Sequence, residues 1–292
     1  MRDLLTRRTL LTGGATTAAL LLLPSAAHAN SGLSELEREY DARIGGFALD
    51  TGNGRTVQHR ATELFPLLST FKVLASAAVL RRARTCDPGL LDRVIHYDAA
   101  DLVTYSPITS QHVEDGMTVA ALCEAALTYS DNTAGNLLLR LLGGPPAVTR
   151  YARGLGDPVT RLDRWETALN DWSPTELRDT TSAKAMGRNL QAVTLGQALH
   201  PEDRARLTGW LRMNTTGDAR IRAGLPAGWV VGDKTGSSDA YGAANDIAVV
   251  QPPSGAAIVL AIYTNRNAPD ATYDNTLVAR TATALVRALG RL

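Results

Sequence analysis

The chain has 292 residues, with 30 basic and 29 acidic side chains and a formal net charge of +1. Setting aside an N-terminal leader removes Arg2, Arg7, Arg8 and Asp3, leaving 27 basic and 28 acidic residues and a net charge of −1. That balance argues against nucleic acid or an anionic membrane as partner, while the length suffices for one large domain or two interlocked ones.

Residues 1–29 read as the leader. Arg7-Arg8 lies in a charged first segment, Leu20-Leu21-Leu22-Leu23 in an apolar one, and Ala27-His28-Ala29 forms a cleavage site. The arginine pair resembles a twin-arginine export signal, and the apolar run is too short to span a bilayer comfortably. An exported protein, periplasmic or extracellular after cleavage near Ala29 and without a stable membrane anchor, is expected. Ser34-Glu35-Leu36-Glu37 then reads as a capping box opening a short helix. Residues 44–50 and 55–60 predict a hairpin turned by Thr51-Gly52-Asn53-Gly54. From 69 to 84 the pattern becomes a helix rich in Ala and Leu, followed by helices over 118–129 and 133–142, the latter ended by Gly143-Gly144-Pro145-Pro146. Residues 157–181 are polar, carry Pro158 and Pro174, and show no periodicity. A loop that long inside a domain is functional or disordered. Residues 182–212 read as helical, 229–237, 246–250 and 257–264 as strands, and 274–289 as a closing helix.

Strands at both ends share one sheet only if the helical block is an insertion. The predicted fold is α/β (α+β): a five-stranded antiparallel sheet flanked by terminal helices, with an inserted all-α domain. Residues 30–61 with 213–292 form the first part. Residues 62–212 form the second, including a catalytic loop over 161–181. The cleft between them is the natural site.

Only three of the 30 basic residues are lysines, and two of these lie in short motifs. Lys72 closes Ser69-Thr70-Phe71-Lys72, which puts its amine on the same helical face as the Ser69 hydroxyl. A desolvated Lys can lose its proton and act as a base, which Arg cannot. The helix start adds free N–H groups that favour an oxyanion beside Ser69. The bland alternative is an N-cap serine with a solvated lysine. Ser130-Asp131-Asn132 sits between two predicted helices. Ser130 can relay a proton, Asn132 can hold a substrate amide and Asp131 can brace the turn, or all three can simply form a helix cap. In Lys234-Thr235-Gly236-Ser237, Thr235 and Ser237 share a strand face, Gly236 admits a close ligand backbone, and Lys234 must reach around from the other side. Within the polar loop Glu166 can deprotonate a water held by Asn170, and Arg164 and Asp179 can pair across the neck. Cys86 and Cys123 invite a disulfide or stand as two free thiols. His28, His59, His96, His112 and His200 form no close-spaced ligand cluster, which disfavours a metallo-hydrolase; no metal and no cofactor is expected.

The order of these four pieces resembles that of the class A serine β-lactamases, whose motif set is S-x-x-K, S-D-N and K-T-G with a loop glutamate. The likeness extends to Arg161-Leu162-Asp163-Arg164-Trp165-Glu166-Thr167-Ala168-Leu169-Asn170, Arg178-Asp179-Thr180-Thr181, Asn214-Thr215-Thr216-Gly217-Asp218 and Val231-Gly232-Asp233-Lys234-Thr235-Gly236. The resemblance implies a monomeric enzyme that opens small-molecule β-lactams and confers resistance to them. It makes Ser69 the nucleophile, with its backbone N–H and that of Ser237 as the oxyanion hole. Lys72 and Glu166 become rival bases for acylation, Ser130 the proton carrier to the leaving nitrogen, and Glu166 with Asn170 the deacylating pair. Lys234, Thr235 and Ser237 would bind the substrate carboxylate, joined by Arg220 in a bidentate contact. Asn132 would bind the side-chain amide, and Tyr105 would line the cleft mouth. Two departures stand out. Ser76 occupies the position where many members pair a cysteine with that matching Cys123, which favours free thiols. Leu68 precedes the nucleophile, where some carbapenem-hydrolysing members have a cysteine. A D-Ala-D-Ala peptidase and a β-lactam sensor share the fold and three motifs, but typically lack the Glu166–Asn170 pair.

Overall fold

The computed structural model describes residues 26–292, so most of the predicted leader lies outside the described residues. The chain opens with α1 (Ala26–Tyr40), β1 (Ala42–Asp50) and β2 (Thr56–His59). A two-residue strand, β3 (Phe65–Pro66), leads into α2 (Phe71–Thr85). Next come β4 (Val94–Ile95), β5 (Met117–Thr118), α3 (Val119–Thr128), α4 (Asn132–Leu142) and α5 (Pro146–Gly154). After the long polar loop come β6 (Thr180–Thr181), α6 (Ala183–Thr194) and α7 (Pro201–Arg212). The chain closes with β7 (Val230–Ser238), β8 (Ala243–Gln251), β9 (Ile258–Arg266) and α8 (Asn275–Ala288).

The five long strands form one antiparallel sheet in the order β2-β1-β9-β8-β7. Its central strand shows why the sequence there is a near-continuous apolar run. Ile258, Leu260 and Ile262 face a core built with α1 and α8, whereas Val259, Ala261 and Tyr263 face a second core built with the helical block. The two-residue period of a strand sorts one run of side chains between two buried faces. Helix α2 is buried on nearly every side, which matches its Ala- and Leu-rich composition. Each fully buried Leu or Phe contributes about 1.5–3 kcal/mol by leaving water.

Three predicted boundaries are corrected. Ser34 does not open the first helix, which already runs from Ala26, with Leu33 and Leu36 anchoring it to the sheet. Residues 182–212 are two helices, separated by 195–200 and restarted by Pro201 in the first turn of α7. Helix α5 was not anticipated: Gly143 ends α4 at φ 91°, and Pro146 opens the next helix three residues later. Both cysteines are free. Cys123 is buried, which pushes its thiol up to about 12, and the Ser76 hydroxyl of α2 offsets this slightly. No helix among the described residues is long and apolar enough to cross a membrane.

Candidate active site

Ser69 sits in a single 3-10 turn, Leu68–Thr70, that feeds directly into α2. Leu68 has φ 48°, a left-handed conformation that costs a branched residue about 1–3 kcal/mol. The surroundings hold it there. Leu67 N–H donates to Asp179 O (2.7 Å), Asn245 Nδ2 to Pro66 O (2.8 Å), and Thr70 Oγ1 to Leu67 O (2.6 Å). Strand β7 closes the turn from the other side. A Cβ on Gly236 would lie 2.8 Å from Leu68 Cβ and 3.2 Å from Ser69 N. The close approach that requires Gly236 is therefore made by the protein's own backbone, not only by a ligand.

Lys72, one turn into the helical segment, is fully buried. Its Nζ lies 2.9 Å from Ser69 Oγ, 2.9 Å from Ser130 O, 2.6 Å from Asn132 Oδ1 and 3.0 Å from Glu166 Oε1. An ammonium has three protons for these four acceptors, so Ser69 competes for the last of them. Burial lowers the Lys72 pKa, opposed by the negative charges of Glu166 and Asp131. Ser69 Oγ also reaches Glu166 Oε1 at 3.2 Å, so both candidate bases touch the same hydroxyl. The solvated-lysine reading is excluded.

Ser130 occupies a turn at φ 59°, between α3 and α4. Its Oγ accepts from Lys234 Nζ (2.9 Å). Both readings of Asp131 hold at once. Its carboxylate caps α4 at Ala134 N–H (2.8 Å) and braces the 108–109 segment through Ile108 N–H, Thr109 N–H and Thr109 Oγ1. Asn132 uses its amide twice, accepting from Lys72 and donating from Nδ2 to Thr104 O (2.8 Å).

Glu166 is carried in by the 157–181 loop. The neck is fastened by Arg161 N–H to Thr180 O (2.9 Å), the β3–β6 pair, and Arg164 Nε to Asp179 Oδ2 (2.5 Å). Asp179 Oδ1 also accepts from the Asp163 and Arg164 N–H groups. Asn170 Nδ2 donates to Glu166 Oε2 (2.7 Å), and Ser238 Oγ donates to Asn170 O (2.9 Å), tying the loop to β7. Asn136 was missed by the sequence reading. From α4 it donates Nδ2 to Glu166 O (2.8 Å) and accepts the Glu166 N–H at Oδ1 (2.9 Å), clamping the residue from both sides.

Lys234 does reach around β7. Besides Ser130 it meets Thr235 O (2.9 Å), and burial, then the charge of Lys72, depresses its pKa well below the usual lysine range. Arg220 is buried and largely spent. Nε donates to Asn275 Oδ1 (2.8 Å), both Nη1 protons go to Gly236 O and Asn245 O, and Nη2 donates to Ser237 Oγ. One Nη2 proton remains, so a bidentate fork is not on offer in this arrangement. Its first effect is to orient Ser237.

These groups surround a cavity of about 370 Å³. Ser69, Tyr105, Ser130, Asn132, Asn170, Arg220, Thr235 and Ser237 line it, as do the unanticipated Thr216, Tyr273 and Asn275. Tyr105 is 56 % exposed at the rim. Lys72, Glu166 and Lys234 stand immediately behind the lining, linked to it by the bonds above. A hydroxyl flanked by a buried amine and a buried carboxylate can attack a carbonyl, and a second carboxylate contact can then activate water.

Comparison with known proteins identifies the family. The β-lactamase enzyme family model matches residues 29–289. β-Lactamase AST-1 of Nocardia asteroides is 53 % identical over 266 residues, covering 91 % of this chain and 85 % of that protein. The crystal structure of a β-lactamase from Streptosporangium roseum superimposes with a TM-score of 0.90 at 58 % identity, covering 91 % of this chain and all of the other. The class A β-lactamase from Mycobacterium abscessus gives 0.86 at 46 % identity, over 90 % of this chain and 99 % of that one. On fold, motif order and overall identity, the chain belongs to the class A β-lactamases.

Proposed function

We propose that the chain hydrolyses β-lactams through a covalent acyl-enzyme on Ser69. The supporting observation is the position of Ser69 Oγ, 2.9 Å from Lys72 Nζ and 3.2 Å from Glu166 Oε1. Ser69 Oγ attacks the lactam carbonyl while its proton passes to Lys72 or Glu166, the two bases within reach. The C–O bond forms, the carbonyl oxygen takes the negative charge, and the Ser69 and Ser237 N–H groups stabilise it. The C–N bond then breaks as Ser130 Oγ gives its proton to the leaving nitrogen; Lys72 replenishes Ser130 and, where Glu166 was the base, takes the proton back from it, leaving Glu166 a carboxylate. Glu166 takes a proton from a water aligned by Asn170. The resulting hydroxide attacks the ester, and Ser69 recovers its proton as the acid leaves. Thr235, Ser237, Lys234 and the remaining Arg220 N–H receive the substrate carboxylate, Asn132 the side-chain amide, and Tyr105 covers the mouth.

The leader pattern supports export with cleavage near Ala29, and the protein is read as a monomer. Residues 30–61 with 213–292 are read as the α/β part, and 62–212 as the helical part. Incubation with a penicillin, followed by turnover and intact mass, tests the chemistry. Steady hydrolysis with little adduct is expected. A long-lived adduct without turnover would instead mark a sensor or a peptidase. Glu166→Ala should accumulate the acyl-enzyme, and Ser69→Ala should form none. N-terminal sequencing of exported protein tests the leader.

A further inference from the structure

Lys184 is the one lysine the catalytic cavity does not use, and unlike Lys72 and Lys234 it is exposed. It lies on α6 one turn before Arg188, so the two cations share a helix face. Like charges at that spacing repel, and neither has an acidic partner among the described residues. The Lys184 ammonium has no partner there, and Arg188 donates only to Gln191 Oε1 (3.0 Å) and lies over the Phe47 ring. Both line a cavity of about 330 Å³ that shares no residue with the catalytic one. Facing them are Leu155, Pro158 and Val159, an apolar wall at the root of the 157–181 loop. The one carboxylate in the lining, Asp157, is buried and already accepts from Val159 N–H, Thr160 N–H and Asn189 Nδ2.

We propose that this cavity is a second binding site, for a small organic anion with a carboxylate or sulfonate head and a compact apolar body. The head sits between Lys184 and Arg188, where it relieves their repulsion, and the body covers Leu155, Pro158 and Val159. The volume is at the lower end for ligand pockets, which limits the occupant to a small molecule. Such a ligand bridges α6 to the loop root, next to the Asp157–Asn189 tie.

The test uses the full chain and 8-anilinonaphthalene-1-sulfonate, followed by calorimetry and fluorescence. One probe per chain is expected, displaced by octanoate. Lys184→Gln or Arg188→Gln should each weaken it about tenfold, as expected for loss of one charge-assisted contact, and the double variant about a hundredfold. Penicillin turnover should stay at the parent rate in these variants. The uncharged analogue N-phenyl-1-naphthylamine should bind at least about tenfold more weakly than the sulfonate by the same conversion. Lys184 is the only exposed lysine, so saturating probe should also slow its acetylation, read from the mass of its peptide. Binding that is non-stoichiometric, unchanged in Lys184→Gln and the double variant, or equally strong for the uncharged analogue overturns the proposal.

Discussion

Replacing Asn136 by Ala should separate the two halves of the catalytic cycle. The side chain makes two bonds, to the N–H and the C=O of Glu166, and Glu166 is only 4 % exposed. Each bond contributes about 1 kcal/mol net, and a buried group left unpaired costs about 1–3 kcal/mol. Both lost together predict a loss of about 2–4 kcal/mol. At about 2–4 °C per kcal/mol for a domain of this size, the melting temperature should fall on the order of 10 °C. The kinetic effect follows from what the clamp positions. Glu166 Oε2 is 2.7 Å from Asn170 Nδ2, and a misplacement of about 1 Å in such a constellation costs about 10²-fold. Ser69 and Lys72 keep their own contact, so acylation should suffer less than deacylation. Rapid mixing with a chromogenic cephalosporin should give a burst, and intact mass should reveal accumulated adduct. A folded Asn136→Ala protein that deacylates at the parent rate would refute the assignment of Asn136 as the clamp.

Three further outcomes follow from the same geometry. Gly236→Ala pushes a methyl against Leu68 and Ser69 N, an overpacking cost of about 1–3 kcal/mol, and should lower kcat/KM at least about tenfold; parent-like kinetics would show that β7 and the nucleophile turn are not in tight register. Lys72→Arg keeps the charge but cannot shed it, so acylation measured in the Glu166→Ala background should fall at least about 10²-fold; unchanged acylation would remove Lys72 as a base. Hydrogen bonds from Arg161 first, and from the Asp179 N–H, hold the Asp163 carboxyl below its ordinary 3.8. Its contribution is therefore complete above that value and is lost as pH falls through the lower folded value. The melting difference between parent and Asp163→Asn should be constant from about pH 7 to 5 and shrink below 3.8; a constant difference down to about pH 3 would contradict it.

The five long strands and most helices were legible because each carries one strong local signal, whereas the two-residue strands β3 to β6 carry none. Asp274 capping α8 and the Thr51–Gly54 turn are examples. Where one signal served two elements, the reading failed. The Gly143–Pro146 run reads as a stop, yet it is both the end of α4 and the start of α5. The gathered motif residues were legible for a different reason: their short spacings and their order along the chain match one family's motif set, and the structure then shows several of them buried together. What sequence could not supply were contacts set by tertiary distance alone. Asn136 shares a helix face with Asn132, a faint signal, but nothing local says it will meet Glu166. Asn275 reaches Arg220 across 55 residues, and the engagement of both Arg220 Nη1 protons by two strand carbonyls is likewise invisible without the sheet.

The sheet order also fixes what synthesis can and cannot complete. β9 lies between β1 and β8, so a strand among the last to be made is the one at the centre. Its pairs with β1 join Ala42 to Arg266 and Asp50 to Ile258, closing a loop that contains Ser69, Lys72, Glu166 and Lys234. Contacts at such separation are slow to form because chain closure precedes any reward. A nascent or truncated chain ending before Ile258 would hold two half-sheets, each presenting an unpaired edge at β1 or β8, which invites association with other chains. The residues from Ile258 onward thus supply the one strand that joins the two halves of the sheet.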